Sequence, residues 1–292
     1  MEKSLIIEAD NIPSNVRLIL KKGRQSSLVS QAMEKYETIK TLARKLNVDR
    51  STIYCWKKEW WFMQVKYLRK IFALLNKDLN EINSSIVGIK DQSRITVFLK
   101  KKLPFEVPIE LIAHLQGDGS VRKRDGSCSY INEQSLLVDS FINVVRKIFN
   151  TPFNTCETNG CIQVNLPAVI GKILVSKFGG FGSKEFVIPN IKNESNIKKY
   201  LRAIFDDEGS VIEDKKKYRY LSLKLCNSAA LRKIKRFLFK LGINSHIYTY
   251  KNELRISGFQ NILLFARKVN FTHPLQKEKL KKLLNNYKLK IW

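Results

Sequence analysis

Acidic residues are scarce in this chain. It holds 26 Asp and Glu against 53 Lys and Arg, a formal net charge of +27 over 292 residues. An imbalance of that size favours a polyanion as partner, because each phosphate neutralised releases condensed counterions. Histidine and paired cysteine are scarcer still. The three His (His114, His246, His273) and five Cys (Cys55, Cys128, Cys156, Cys161, Cys226) form no CxxC pair and no Cys/His cluster, which argues against a zinc site. Cys156 and Cys161 could face each other across a hairpin, but in a reducing compartment the expectation is small apolar fillers. No apolar run reaches the length of a membrane span, and the leading MEKSLIIEAD lacks a signal-peptide pattern. The expectation is an intracellular, nucleoid-associated protein with no membrane partner. What the chain does have is a 44% hydrophobic share and four Trp, enough for a proper core.

Within the first ninety-odd residues, Ile39, Leu42, Ala43 and Leu46 recur at helical spacing. Asn47-Val48-Asp49 follows, and Arg50 to Lys58 reads as a second helix with Asp49 as its N-cap. Two short helices joined by a tight turn outline a helix-turn-helix. The stretch TLARKLNVDRSTIYCWKK resembles the helix-turn-helix of resolvase-like and transposase-like DNA-binding domains, with Asn47 where those usually carry Gly. In such a unit Ile53 and Trp56 pack inward. Ser51, Thr52 and Cys55 then look toward base edges, with Arg50, Tyr54, Lys57 and Lys58 nearer phosphates. A plain helical pair in a small bundle is the other reading. Residues from Trp60 to about Ile95 read as one long amphipathic helix, a support or connector.

From about Lys100 the chain repeats itself. Gly117-Asp118-Gly119-Ser120-Val121 and Asp207-Glu208-Gly209-Ser210-Val211 are near copies roughly ninety residues apart, each closing an apolar segment with helical spacing. The elements around each copy read α-β-β-α-β-β-α, with Asn159-Gly160 as a type I′ hairpin signal. Ala113 and Gly117 lie on one helix face, and small residues there let two helices approach closely. If the motif helices pack about a pseudo-two-fold axis, Asp118 and Glu208 meet at their C-terminal ends. Both the helix macrodipole and the like charge disfavour ionised carboxylates in that position. A divalent cation or a proton relieves it. All-oxygen donors indicate a hard ion, Mg²⁺ before Mn²⁺ or Ca²⁺. Two acids that merely cap helix ends and pair with lysines would explain one copy and not the duplication.

LIAHLQGDG (111–119) and LRAIFDDEG (201–209) resemble the paired signature of single-chain LAGLIDADG homing endonucleases. The resemblance extends through the hairpins, the Ile188-Pro189 lead and FTHPLQKEKL (271–280), covering nearly everything from Lys100 onward. It implies two saddle-shaped sheets lying in the DNA major groove, and cleavage of both strands across the minor groove. Asp118 and Glu208 match the metal-binding acids, and Asn132 and Asn227 match a polar position that orders metal-bound water. Lys184 and Lys277 lie near a basic position beside each scissile phosphate, although Gln276 aligns better than Lys277. Each of these four also has a bland reading, as a hairpin-end Asn or a solvated Lys. Arg122, Lys123, Arg124, Lys216, Arg219, Lys224 and Arg255 form the expected DNA-facing set. Two departures stand out: Gln116 replaces a frequent acid, and Asp207 stands where the first copy has Gly117, a third carboxylate expected to be solvated.

The resulting expectation is an α+β protein. Residues 1–95 form a small all-α helix-turn-helix domain, and residues 96–292 a pair of αββαββα repeats, about 100–183 and 184–292. The chain is expected to work as a monomeric pseudo-dimer on double-stranded DNA with Mg²⁺ or Mn²⁺. A non-cleaving regulator on the same scaffold is the main rival. An RNA maturase comes third, since a helix-turn-helix reads duplex DNA better than folded RNA.

Overall fold

A computed structural model describes residues 5–92, 95–214 and 218–288. Strand β1 (Ile6–Ile7) is followed by β2 (Arg17–Leu20), α1 (Arg24–Tyr36), α2 (Ile39–Leu46), α3 (Arg50–Lys57) and α4 (Val65–Leu74). Thr38 caps α2 by accepting the Thr41 N–H, and Asn47 closes it in the left-handed region at φ 57. Helix α3 buries Ile53 and Trp56 as its spacing predicts. Asp49 precedes α3 in extended conformation, but its side chain makes no capping bond, contrary to expectation. Helix α1 lies across both α2 and α3.

The long helix expected from Trp60 to Ile95 does not form. Helix α4 stops at Leu74, and Asn76 turns left-handed at φ 57. Asp78 then accepts the Asn80 N–H at the head of a 3₁₀ segment, Leu79–Ser85. The chain continues as β3 (Ile86–Lys90) and β4 (Thr96–Leu99). The first ninety residues are therefore not purely helical. With β8 (Phe149–Asn150), strands β2, β3 and β4 make one sheet in the order β2-β3-β4-β8. That sheet takes strands from both sides of residue 95.

After β5 (Phe105–Glu106), which pairs with β1, the first repeat is α5 (Ile109–Gln116), β6 (Gly119–Val121), β7 (Cys128–Asn132), α6 (Ser135–Arg146), β9 (Asn154–Thr158), β10 (Cys161–Leu166) and α7 (Ala168–Phe178). The second is α8 (Glu194–Glu208), β11 (Gly209–Asp214), β12 (Tyr218–Lys224), α9 (Ser228–Lys240), β13 (His246–Tyr248), β14 (Glu253–Ser257) and α10 (Phe259–Lys268), with α11 (Pro274–Lys288) appended. Their sheets share one antiparallel topology, β6-β7-β10-β9 and β11-β12-β14-β13. The protein is thus α+β, built on two copies of one unit. Asn159 and Gly160 both have positive φ (52 and 74), as a type I′ turn requires. All five cysteines are free. Cys156 lies opposite Gln163 and Cys161 opposite Thr158, so those two do not face each other. Cys156 is exposed and fills no core, whereas Cys128 is buried.

Candidate active site

The two motif helices, α5 and α8, pack directly against each other. Ala113 and Ala203 are buried in the seam. One helical turn on, the copies diverge and become complementary. A Cβ on Gly117 would sit 2.7 Å from Asp207 Cβ, so only glycine fits opposite that aspartate. Asp207 is not solvated as expected; its side chain is fully buried. It pairs with His114 Nδ1 at 3.0 Å and accepts the Tyr130 hydroxyl at 2.8 Å, both from the first repeat. Burial alone would lower the His114 imidazole, but the Asp207 charge and hydrogen bond outweigh it and raise the value. The ring also stands edge-on to Tyr130 and Phe141. A buried carboxyl group is tolerable here because both the imidazole and the Tyr130 hydroxyl hydrogen-bond to it.

The sixth motif position also crosses to other segments. Gln116 accepts the Tyr200 hydroxyl at 2.8 Å and donates to the Val187 carbonyl at 3.2 Å. Asp206 accepts the Thr272 and His273 amides at 2.7 and 2.9 Å, tying the FTHPLQ segment to α8. Burial pushes Asp206 up to about 6, against the pull of those amides.

Asp118 and Glu208 close the two motifs. Burial first, then the charges of Asp207 and Glu208, push Asp118 up to about 7. Glu208 is also raised, by burial and by Asp207. Two carboxylates at the ends of packed helices, each held above its ordinary range, are the electrostatic arrangement that a bound cation relieves. A cleft of about 300 Å³ opens beside them, lined by Gly117, Gly119, Ser120, Glu208, the 181–183 linker and Lys224 to Cys226. Among the described residues no group of three or more His, Cys, Asp or Glu is arranged to hold a metal ion. At the motif ends the donors on offer are the Asp118 and Glu208 carboxylates. They fit a hard cation that takes its other ligands from water and phosphate, as Mg²⁺ does.

The other expected site residues separate. Asn132 Nδ2 donates to Asp118 at 2.7 Å, so the first Asn stands at the acid. Asn227 does not repeat this. It accepts the Ala230 N–H to cap α9 and donates to the Phe186 carbonyl. Lys184 is exposed in the turn between the repeats. Lys277 borders a separate cleft between α10 and α11. Gln276 instead reaches the second motif, accepting the Val211 N–H at 2.9 Å. Lys224 shares the cleft with Glu208. Sequence reasoning had it only as a DNA contact; its place at the end of the strand paired with β11 was the available signal.

Of the expected DNA-facing set, Arg50, Ser51 and Tyr54 are exposed on α3 and Lys58 just past its end, with Thr52 and Cys55 half-buried. Arg122 and Arg124 are exposed at the β6–β7 turn, and Lys123 there pairs with Glu185. Arg255 lies on the outer sheet face between Tyr220 and Tyr248, its guanidinium 4.2 and 4.6 Å from the ring centroids. Arg219 is a correction. Its side chain is 7% exposed, bonded to Glu213 and to the Asn286 carbonyl and stacked on Tyr287, so α11 covers it. Lys216 lies outside the described residues.

Residues 195–270 match the family model described as a LAGLIDADG-like domain. Over 203 residues the chain is 27% identical to an uncharacterized protein of Methanocaldococcus jannaschii, covering 66% of this chain and 73% of that protein. Among solved structures it is similar to the N-terminal LAGLIDADG domain of DUF199/WhiA, at 16% identity and TM-score 0.41 over 58% of this chain and 84% of that one. It is also similar to the homing endonuclease I-DmoI in complex with DNA and Ca, at 15% identity and TM-score 0.40 over 60% and 97%. The residues matched to that model lie in the second repeat and include Asp206, Asp207 and Glu208. No described helix is long and apolar enough to cross a membrane.

Proposed function

We propose that this protein is a site-specific, Mg²⁺-dependent double-strand DNA endonuclease that acts as a single-chain pseudo-dimer. The observation that carries the reading is the pairing of Asp118 and Glu208 at the same end of two packed helices, with Asp118 raised to about 7 partly by the charge of Glu208. The buried seam is already closed by Asp207 with His114 and Tyr130, and it calls on neither of these two acids. A bound cation there supplies Lewis-acid activation of water and of the phosphodiester. Asp118 and Glu208 would hold it, Asn132 fixes the Asp118 carboxylate, and Lys224, in the cleft that Glu208 lines, would face a scissile phosphate. The two outer sheet faces take the duplex, and α3 adds contacts on flanking DNA. Residues 1–95 then form the DNA-binding appendage and 96–292 the nuclease, with a sheet shared between them.

The test is cleavage of a plasmid carrying the sequence that flanks the gene, with Mg²⁺ or with EDTA. A metal-dependent double-strand cut lost in Asp118→Asn and in Glu208→Gln is the expected result. One observation favours a second reading, a non-cleaving DNA-binding regulator. The basic partner expected in the second repeat is replaced by Gln276, which is committed to the Val211 amide. Metal-independent binding to its own promoter with no cut at any locus would select that reading.

A further inference from the structure

Directly after α3 the chain places three aromatic residues in a row, Trp60, Trp61 and Phe62, and leaves them 67%, 56% and 39% exposed. Large rings on a surface loop are costly to leave in water, and contiguous ones mark a binding surface. Here the backbone that carries them is held on both sides. Gln25, itself buried, donates to the Trp56 and Trp61 carbonyls and accepts the Met63 N–H, all at 2.9 to 3.0 Å. Glu59 accepts the Gly23 and Ser26 amides at the start of α1. Trp60 stands edge-on to Tyr54, at 5.7 Å and 80°. The rings are presented, not merely left over.

A cleft of about 500 Å³ lies against this loop, bordered by Thr52, Gln64, Arg17 and Lys90 as well as the aromatics. That volume falls within the range of small-ligand sites, roughly 300–1,000 Å³. Its charge has one sign. Arg17 and Lys90 are direct cross-strand partners of β2 and β3, and no Asp or Glu lines the cleft. Like charges placed opposite each other weaken a sheet unless an anion lies between or above them. Flat apolar faces, a pair of cations and polar groups from Thr52 and Gln64 are together what a nucleotide offers partners for: a base to stack and a phosphate to neutralise.

We propose that this cleft is a stacking site for an unpaired base of a DNA strand, held between the Trp60–Phe62 loop and the Arg17–Lys90 pair. The assignment rests on the DNA-binding half of the function above and not on cleavage. Thr52 belongs both to the cleft and to α3, so a strand opened or frayed beside α3 is within reach of the rings.

The experiment uses the full chain in EDTA with an oligo-dT strand and, in parallel, a duplex. Single-strand binding should quench Trp fluorescence. Trp60→Ala with Trp61→Ala should weaken it about ten-fold or more, with duplex affinity little changed. Trp60→Phe with Trp61→Phe should restore most of the loss. An oligonucleotide with abasic sites should bind wild type as weakly as oligo-dT binds the alanine variant. Because both residues are exposed, unchanged melting curves will establish that the variants fold. Duplex binding with no single-strand binding, or equal oligo-dT affinity in wild type and the alanine variant, overturns the assignment and leaves the nuclease reading standing. So does a variant whose only change is loss of self-association. Stacking that persists where no cleavage is found sinks the nuclease reading alone.

Discussion

The two repeats share their strand order but not their chemistry, and the contrast shows how a duplicated unit divides its work. On the first sheet the outward positions Ser120, Ser129, Gln163 and Asn165 are uncharged, and Gln163 donates to Asn165 at 2.7 Å. On the second, the equivalent face carries Lys224, Arg255 and the buried Glu253. Burial would raise Glu253, but hydrogen bonds from Arg255 and Ser222 outweigh it and hold it low. In the proposed reading the first face would offer base edges its amides and hydroxyls. The second presents one guanidinium, locked between two tyrosines. At the seam the difference sharpens: the first copy contributes a histidine, a tyrosine and a gap, and the second the carboxylate that fills it.

If the two acids act as one centre, either single variant disables it. Asp118→Asn and Glu208→Gln should each lower double-strand cleavage about a thousand-fold or more, measured by single-turnover kinetics. A variant that still nicks one strand at the wild-type rate would show the halves working independently. Next in size is the seam. Asp207→Ala strands a buried His114 and should cost about 3–5 kcal/mol in denaturant unfolding. Gly117→Ala forces a Cβ against Asp207 and should cost about 1–3 kcal/mol. Equal and small losses for both would mean that the complementarity is cosmetic.

The pH dependence separates Asp118 from the seam. Its folded value, about 7, lies above its ordinary 3.8, so the fold favours the neutral acid. That contribution to stability is complete below about pH 4 and is lost as pH rises through 7. Without divalent ions, Asp118→Asn should therefore melt higher than wild type at pH 8 and match it at pH 4. Because Mg²⁺ must displace the proton, its affinity should fall about ten-fold for each pH unit below 7, read by titration calorimetry. The smallest effect compares two arginines of one sheet. Arg255→Ala should weaken duplex binding several-fold and reduce the salt slope by about one. Arg219→Ala, beneath α11, should leave the slope unchanged.

Much of this architecture was legible because it is local. Turn chemistry placed the Asn159-Gly160 turn, and the duplicated acids announced the paired helices. What stayed hidden depended on partners far along the chain. Asn76 can take the left-handed turn that stops α4, but the apolar pattern reads on past it, and the Ile86–Lys90 strand is satisfied only by β2 and β4. Asp207 looked like a solvated acid because its imidazole partner is 93 residues away. Asn132 and Asn227 looked equivalent from the strands they end, yet one holds an acid and the other caps a helix. Arg219 looked like a DNA contact until α11 was in place over it.

The fit of Asp207 against Gly117 also bears on ancestry. A homodimer of the second unit would set two aspartates against each other with no imidazole to neutralise them. A homodimer of the first would leave two histidines facing two hollows. Whatever symmetric ancestor preceded this chain, neither descendant half can now return to it alone, and fusion has become a structural obligation.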